Sequence, residues 1–390
     1  MIDRVNVMPA TARLPFDARV VALALALMAL LVWQAGATAG ATMAALAVVG
    51  SLMGLTLYHA SFGFTAAWRR FTTTGDGVGL RAQMLMLGIA VCLFFPALAA
   101  GEILGTPVWG FVFPVGTSVV VGAFIFGIGM QLGGGCGSGT LFTVGGGSTR
   151  MLLTLLFFVV GSVVAIGHLP FWHGLPSLGG ISAIASLGLW PALLLHLALF
   201  AAIVALTLAI ERRRGVVRAP ASAADWLRGP WPVLAGAVAL ALLNFATLWL
   251  AGRPWGITSA FALWGGKGLD GFGVDLAGWE NWGGMMSAVE RSVLLDVTSV
   301  MNFGIVLGAM LAAGLAGRFK PVLRLGRGEV LSAVMGGLLL GYGARLAFGC
   351  NIGAFFSGIA SGSLHGWVWL AAAFLGSVAG VRLRPLFGLK

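Results

Sequence analysis

Long apolar stretches, broken by short polar or glycine-rich segments, set the pattern of this chain. Val20–Leu31, Met151–Ile166 and Leu193–Ile210 each run without Asp, Glu, Lys or Arg. Runs of this length read as membrane-spanning helices. Ten spans are predicted, near residues 18–36, 41–60, 82–100, 111–132, 150–168, 189–210, 231–250, 294–316, 331–347 and 366–382. Two further apolar segments, Gly133–Thr149 and Gly349–His365, are too short and too rich in glycine to cross alone. Irregular backbone at membrane depth survives only against protein or a water-filled cavity. Each is therefore predicted to be a re-entrant half-helix. Phe62-Gly63-Phe64-Thr65 matches Trp255-Gly256-Ile257-Thr258 at an offset of 193, each after an apolar helix. These are predicted to begin a second pair of half-helices.

The pattern repeats. An offset of 214 carries Gly127 onto Gly341, Gly129 onto Gly343, Leu132 onto Leu346, Gly135 onto Gly349, Cys136 onto Cys350 and Gly139 onto Gly353. Five spans separate the start of the first unit near 41 from the start of the second near 231, and an odd number inverts the second unit. The predicted fold class is an all-α polytopic membrane protein, with about ten transmembrane helices plus re-entrant half-helices in two inverted repeats. Its parts are an N-terminal segment with an extra helix (1–40), a first half (41–210), a linker (211–230) and a second half (231–390). Inverted repeats with broken helices point to a central substrate site.

Composition and charge refine the reading. Of 390 residues 59% are hydrophobic and 9% charged, with a mean hydropathy of +0.99. The net charge of +11 would suggest nucleic acid in a soluble chain. Here the basic residues cluster between apolar runs: Arg69, Arg70 and Arg81; Arg212, Arg213, Arg214, Arg218 and Arg228; Arg318, Lys320, Arg324 and Arg327; Arg382, Arg384 and Lys390. With ten spans, all of these fall on one side. The positive-inside rule makes that side the cytoplasm and puts both termini there. The stretch 251–293 falls outside and mixes Arg253, Lys267 and Arg291 with Asp270, Asp275, Glu280 and Glu290. Met1–Arg19 does not read as a secretory signal. No GxxxxGK[ST] motif is present, and GxG pairs such as Gly77-Val78-Gly79 follow no soluble strand, so nucleotide binding is not expected. The histidines His168, His173, His196 and His365 show no ligand spacing, and neither a metal nor a cofactor is expected.

Cys136 and Cys350 are the first candidates for chemistry. A thiol is a weak donor with a soft, polarisable sulfur, which suits a sulfur-bearing guest. Gly135, Gly137 and Gly349 beside them let backbone N–H groups approach a ligand closely. A half-helix N-terminus favours an anion. Arg345 and Gln131 occupy matching positions five residues before each cysteine. An intramembrane arginine is functional by default: Arg345 either attracts an anion at the outer mouth, pairs with a carboxylate such as Glu290 or Asp296, or snorkels to the interface. Asn351, Ser138 and Thr140 follow the cysteines and serve as hydrogen-bond donors, as half-helix caps, or as both. Asn244, Asn302, Asp296, Glu102 and His59 are expected to make interhelical hydrogen bonds. The 14 tryptophans are expected in interfacial belts, and Cys92 as inert packing inside a helix.

Gly135-Cys136-Gly137-Ser138-Gly139 and Gly349-Cys350-Asn351-Ile352-Gly353, with the run Gly256–Phe261 continuing to Trp264, resemble the YeeE/YedE sulfur-transport family. The resemblance covers roughly residues 41 to 382. It implies a bacterial inner-membrane protein of hourglass shape, taking up thiosulfate or a similar small sulfur anion. It also implies that Cys136 and Cys350 are relay points holding the anion by S–H···S hydrogen bonds. A cytoplasmic sulfur carrier protein is the implied partner besides the lipid bilayer. Thiosulfate-transporting members are expected to carry a further path cysteine in the first half-helix pair, and Ser61-Phe62-Gly63-Phe64-Thr65 has none. That departure leaves other sulfur or selenium species open as substrates. The rival reading is a membrane thiol oxidoreductase, which would need the two cysteines within about 7 Å between Cα atoms.

Overall fold

The computed structural model describes residues 16–217, 223–279, 282–322 and 324–389. Arg218, Glu280, Lys390 and the polar N-terminal stretch before residue 16 lie outside them. The helices are α1 (Ala18–Ala39), α2 (Ala41–His59), α3 (Phe64–Thr74), α4 (Val78–Ala100), α5 (Thr117–Gly133), α6 (Gly137–Gly145), α7 (Thr149–His173), α8 (Ala183–Leu187) and α9 (Leu189–Arg214). The second half adds α10 (Val233–Ala251), α11 (Thr258–Gly271), α12 (Met286–Glu290), α13 (Val297–Leu315), α14 (Arg327–Leu346), α15 (Ser357–Ala360) and α16 (Leu364–Leu383). A π-helical segment, Asn351–Phe356, runs directly into α15.

Among the described residues, 10 helical segments are long and apolar enough to cross a membrane, as the apolar pattern predicts. In Ala41–Thr74, Thr117–Gly145 and Arg327–Ala360 a long helix is followed by a short one. The boundaries have ordinary causes. Ser148 caps α7 by accepting from the Met151 N–H, and Asp296 caps α13 by accepting from Ser299. Gly101, with φ 79°, ends α4 in the left-handed conformation. The little sheet structure lies in loops. β1 (Glu102–Ile103) pairs with β2 (Thr106–Pro107), and β3 (Pro114–Gly116) with β4 (Ser177–Gly180), both antiparallel.

The packing has internal two-fold symmetry. α2 lies on α13 as α10 lies on α4; α7 lies on α14 as α16 lies on α5. Likewise α6 meets α13 as α15 meets α4, and α11 meets α7 as α3 meets α16. Exchanging α2 with α10, α3 with α11, α4 with α13, α5 with α14, α6 with α15 and α7 with α16 maps this set onto itself. Lipid gives helices no hydrophobic reason to associate, so close backbone packing must do it. A methyl added at Gly54 would fall on the Ile305 carbonyl, and one at Gly308 on that of Ser51.

The basic segments share one face. Arg81 bridges Glu211 at 3.0 Å, Gly75 lies against Arg214, Gly147 against Phe319 and Lys320, and Arg384 donates to the Gln131 carbonyl at 2.8 Å. α3 and α6 end on this arginine-rich face. α11 ends on the opposite face, near Val289 and Arg291, and α15 ends there near Phe111. The tryptophans depart from expectation. Trp33, Trp109 and Trp190 are exposed, but Trp68, Trp255, Trp282 and Trp369 are fully buried. Trp68 and Trp369 pack on Phe355 of the π segment, 6.2 and 6.3 Å between ring centroids. These large rings add buried apolar surface that so short a helix cannot supply alone.

Candidate functional site

Both cysteines take the N-cap position of a short helix with nearly the same backbone: Cys136 before α6 (φ −85°, ψ −165°) and Cys350 before the π segment (φ −104°, ψ −165°). Both are buried. The caps are therefore the cysteines themselves. Ser138 and Asn351, expected as caps, sit one or two positions further on, inside the helix. Ser138 Oγ lies 3.5 Å from Cys136 Sγ, and Thr140 Oγ1 donates to the Cys136 carbonyl at 2.8 Å. The Cys350 sulfur accepts from the Ile352 N–H at 3.4 Å.

The two cysteine turns meet. A methyl built on Gly137 would stand 2.9 Å from Cys350 Sγ, so the second sulfur rests on the residue next to the first cysteine. The backbone N–H groups of Ser138 and Gly139 face the Cys136 sulfur, and those of Ile352, Gly353 and Gly137 face that of Cys350. Gly135 and Gly349 make the tight reversal before each half-helix possible. A methyl at Gly135 would strike Gly139 C and Thr140 N at 3.0 Å; one at Gly349 would come within 3.1 Å of Gly353 C and 2.7 Å of Ala354 N. The same atoms are involved, shifted by the repeat.

The other two half-helices begin at the same place. Ile257, which precedes α11, touches Gly137, and Gly256 faces Gly353. Phe64, which opens α3, packs edge-on against Phe355 at 6.0 Å. Four helix N-termini thus point inward, each carrying a partial charge of about +0.5. Buried polar side chains hold these starts in place. Asn302 Nδ2 donates to the Ile257 carbonyl at 3.0 Å, and the Trp255 N–H donates to Asn244 Oδ1 at 3.0 Å. Ser357 Oγ donates to the Trp255 carbonyl at 2.7 Å. Gln131 Nε2 donates to the Thr65 carbonyl at 3.1 Å and to Ser377 Oγ at 2.8 Å. Gln131 is thus a brace for α3. Asn351 is the exception: it is fully buried, and neither atom of its amide has a partner. Buried amides seldom go unpaired, and this one stands at the meeting point.

A cavity of about 340 Å³ opens from the face opposite the arginine-rich one and reaches Gly256, Gly349 and Gly353. Arg253 and Arg345 line it. Among the described residues no carboxylate bridges Arg345, and its Nε has no partner; the expected pairing with Glu290 or Asp296 is not made. Asp296 instead accepts from Ser299, both N–H and Oγ, at 2.7 and 2.6 Å. Arg253 donates to Thr298 Oγ1 at 3.0 Å. Burial pushes its guanidinium down from the ordinary value, while Asp296 pulls the other way; an arginine nonetheless stays a cation. Sequence reasoning left Arg253 in an outer loop. Its position directly before Pro254-Trp255-Gly256 was the available signal.

Phe348 joins the same cavity wall. It has φ 58° and closes the end of α14, where the Gly349 N–H reaches back to the Ala344 carbonyl at 2.8 Å. That position normally takes glycine. The equivalent residue of the first half is Gly134, with φ 92°. A left-handed residue with a Cβ costs about 1–2 kcal/mol. The Phe348 ring stacks on Phe113 (5.0 Å, 9°) and on His173 (6.2 Å, 9°).

Cys92 stands apart. It is exposed on α4, in an apolar surface groove shared with Leu197, Phe200 and Val204 of α9. It faces the lipid side, where internal packing was expected.

A family model described as "Sulphur transport" matches residues 59–379. The "Probable transporter YedE" of Escherichia coli (strain K12) is 36% identical over 165 residues, 42% of this chain and 40% of its own length. The "Thiosulfate transporter TsuA" of Spirochaeta thermophila is 29% identical over 344 residues, 82% of this chain and 92% of its own. The protein of the same name from Escherichia coli (strain K12) is 24% identical over 348 residues, 84% of this chain and 91% of its own. The match thus spans 40% of the YedE length and nearly all of TsuA.

Proposed function

The chain belongs to the sulphur-transport family, and from that premise we propose that it takes up thiosulfate or a related sulfur-containing anion across the bacterial inner membrane, with the arginine-rich face and both termini in the cytoplasm. The repeat halves are 41–210 and 231–390, joined by 211–230. The observation that carries the reading is the contact of the Cys350 sulfur with Gly137. It joins the caps of two oppositely directed half-helices at one point, deep in the molecule.

The physical sequence follows from the groups present. Arg253 and Arg345 attract the anion into the outer cavity by charge. At the centre its lost hydration is replaced by the backbone N–H groups of Ser138, Gly139, Ile352 and Gly353, by the thiols, and by the amide of Asn351. These donors are fixed before the anion arrives, so little reorganisation is needed. The thiols stay S–H: each donates a weak, soft hydrogen bond to a polarisable sulfur atom. Transfer from Cys350 to Cys136 crosses a single glycine. The anion then leaves along α6 towards the arginine-rich face, where a cytoplasmic sulfur carrier protein would consume it. The resemblance of most of the chain to proteins named as transporters, and the presence of only one further cysteine, on the lipid side, favour transport over thiol oxidoreduction.

A related anion is the second reading. α3 opens with Gly63 as its N-cap and Phe64 as its first residue, so the third relay cysteine expected of thiosulfate carriers has no counterpart there. The test is uptake of labelled thiosulfate by cells lacking other sulfate and thiosulfate importers, with wild type compared to Cys136→Ala and Cys350→Ala. Uptake by the wild type alone supports both substrate and path. No uptake by a well-expressed wild type discards thiosulfate and sends the search to other sulfur or selenium anions.

A further inference from the structure

The outer cavity ends at Gly349 and Gly353 and does not reach the Cys350 sulfur, which is fully buried. Phe348 stands directly before Gly349 at that boundary. Its backbone is strained in a way the fold does not require, because the symmetric turn is made by Gly134 without strain. Strain kept in one half and avoided in the other calls for a use of the side chain. The ring has one: it lies in a nearly parallel stack between Phe113 and His173, and all three residues line the cavity. Phe113 is itself buttressed edge-on by the buried His365 at 5.2 Å. The ring therefore stands on the cavity wall directly beside Gly349, the residue that leads into Cys350.

We propose that the Phe348 ring is the barrier between the arginine-lined cavity and Cys350, and that it selects among dianions by the water they must shed. An apolar constriction excludes water and any ion that holds its water tightly. Sulfate is a strongly hydrated anion; an anion with a terminal, polarisable sulfur presents a softer, less hydrated end that can pass the ring first and reach the thiol. Arg253 and Arg345 alone cannot make this distinction, because both anions carry the same charge. The selectivity half of this proposal rests on the transport reading above; the barrier half does not.

Two measurements on the full chain in intact cells separate them. The first is the rate at which an anionic, membrane-impermeant methanethiosulfonate modifies Cys350, followed by mass in wild type, Phe348→Leu, Phe348→Ala and Phe348→Gly. Removing the ring as Phe348→Gly is expected to raise the rate roughly tenfold or more, with Phe348→Leu close to wild type. An unchanged rate in Phe348→Gly overturns the barrier. The second is labelled thiosulfate uptake with excess unlabelled sulfate. Sulfate should leave wild type unaffected and inhibit Phe348→Gly. Faster modification without sulfate inhibition overturns the selectivity and keeps the barrier. No thiosulfate uptake by wild type overturns the transport reading together with the selectivity, while the modification rates still decide the barrier. Folding is controlled by melting temperature: Phe348→Gly should melt above Phe348→Ala, since glycine alone relieves the left-handed backbone.

Discussion

The two halves present the same backbone to the centre and different side chains to the approaches. Around Cys350 the chain is open and cationic: Arg253 and Arg345 line about 340 Å³, and the floor is Gly256, Gly349 and Gly353. Around Cys136 it is packed: Gly135 lies against Met151 and Gly134 against Arg150, whose Nη2 is spent on the Leu132 carbonyl at 2.7 Å. A smaller cavity of about 180 Å³, beside the start of α3, opens on that side. Where the second half has Arg345 free to meet an anion, the first has Gln131 bonded to α3 and α16. The lesson is that the repeat preserves the glycine-flanked cysteine turns at the centre and lets the two approaches diverge, one open and cationic, the other closely packed.

Swapping the mouths should break this contrast most severely. Gln131→Arg places an unpaired charge where the side chain is wholly buried and should destabilise the protein by about 3 kcal/mol or more, read as loss of folded protein in a melting assay. At the centre the halves should behave alike. Cys136→Ala and Cys350→Ala each remove a donor to a charged guest, worth about 1.5–3 kcal/mol, so uptake should fall roughly ten- to hundredfold while the melting temperature stays near wild type. Unequal losses would mean that the two thiols are not successive stations. Gly137→Ala pushes a methyl against the Cys350 sulfur, an overpacking of about 1–3 kcal/mol; uptake should drop roughly tenfold, and Gly268→Ala, in open space, is its control. Arg345→Gln should lower uptake by several fold and flatten its dependence on ionic strength, because it removes steering and leaves the centre intact. Cys92→Ala should change neither uptake nor stability, since the side chain touches only the apolar groove; a loss equal to that of the other cysteines would move the path.

Much of this was legible in the sequence because it depends on periodicity. The ten apolar runs mark the spans, and the offset of 214 pairs the cysteines and their glycines. The weaker match at Gly63 and Gly256 located the second pair of half-helices. What stayed hidden depends on direction. The place of Arg253 just before Pro254-Trp255-Gly256 hints at the half-helix start, but that it lines the cavity depends on a long-range contact, the Trp255 N–H bonding to Asn244, eleven residues back. Phe348 escaped because comparing repeats rewards identity, and here the informative position is a difference from Gly134. The tryptophans were assigned to the interface by their usual preference, while Trp68 and Trp369 are needed inside to wrap helices too short to bury themselves. Cys92 was expected among packed neighbours, since an unbroken apolar helix does not reveal which of its faces looks at lipid.

The convergence of four helix ends has a consequence beyond the guest it attracts. The field at the centre comes from peptide dipoles, which have no titratable proton and cannot be neutralised by a change of pH. On the proposed path a hydronium or sodium ion would meet the same positive potential and be turned back, much as half-helix ends repel protons in water channels. A path can therefore admit an anion through a membrane that stores energy as a proton gradient without draining it.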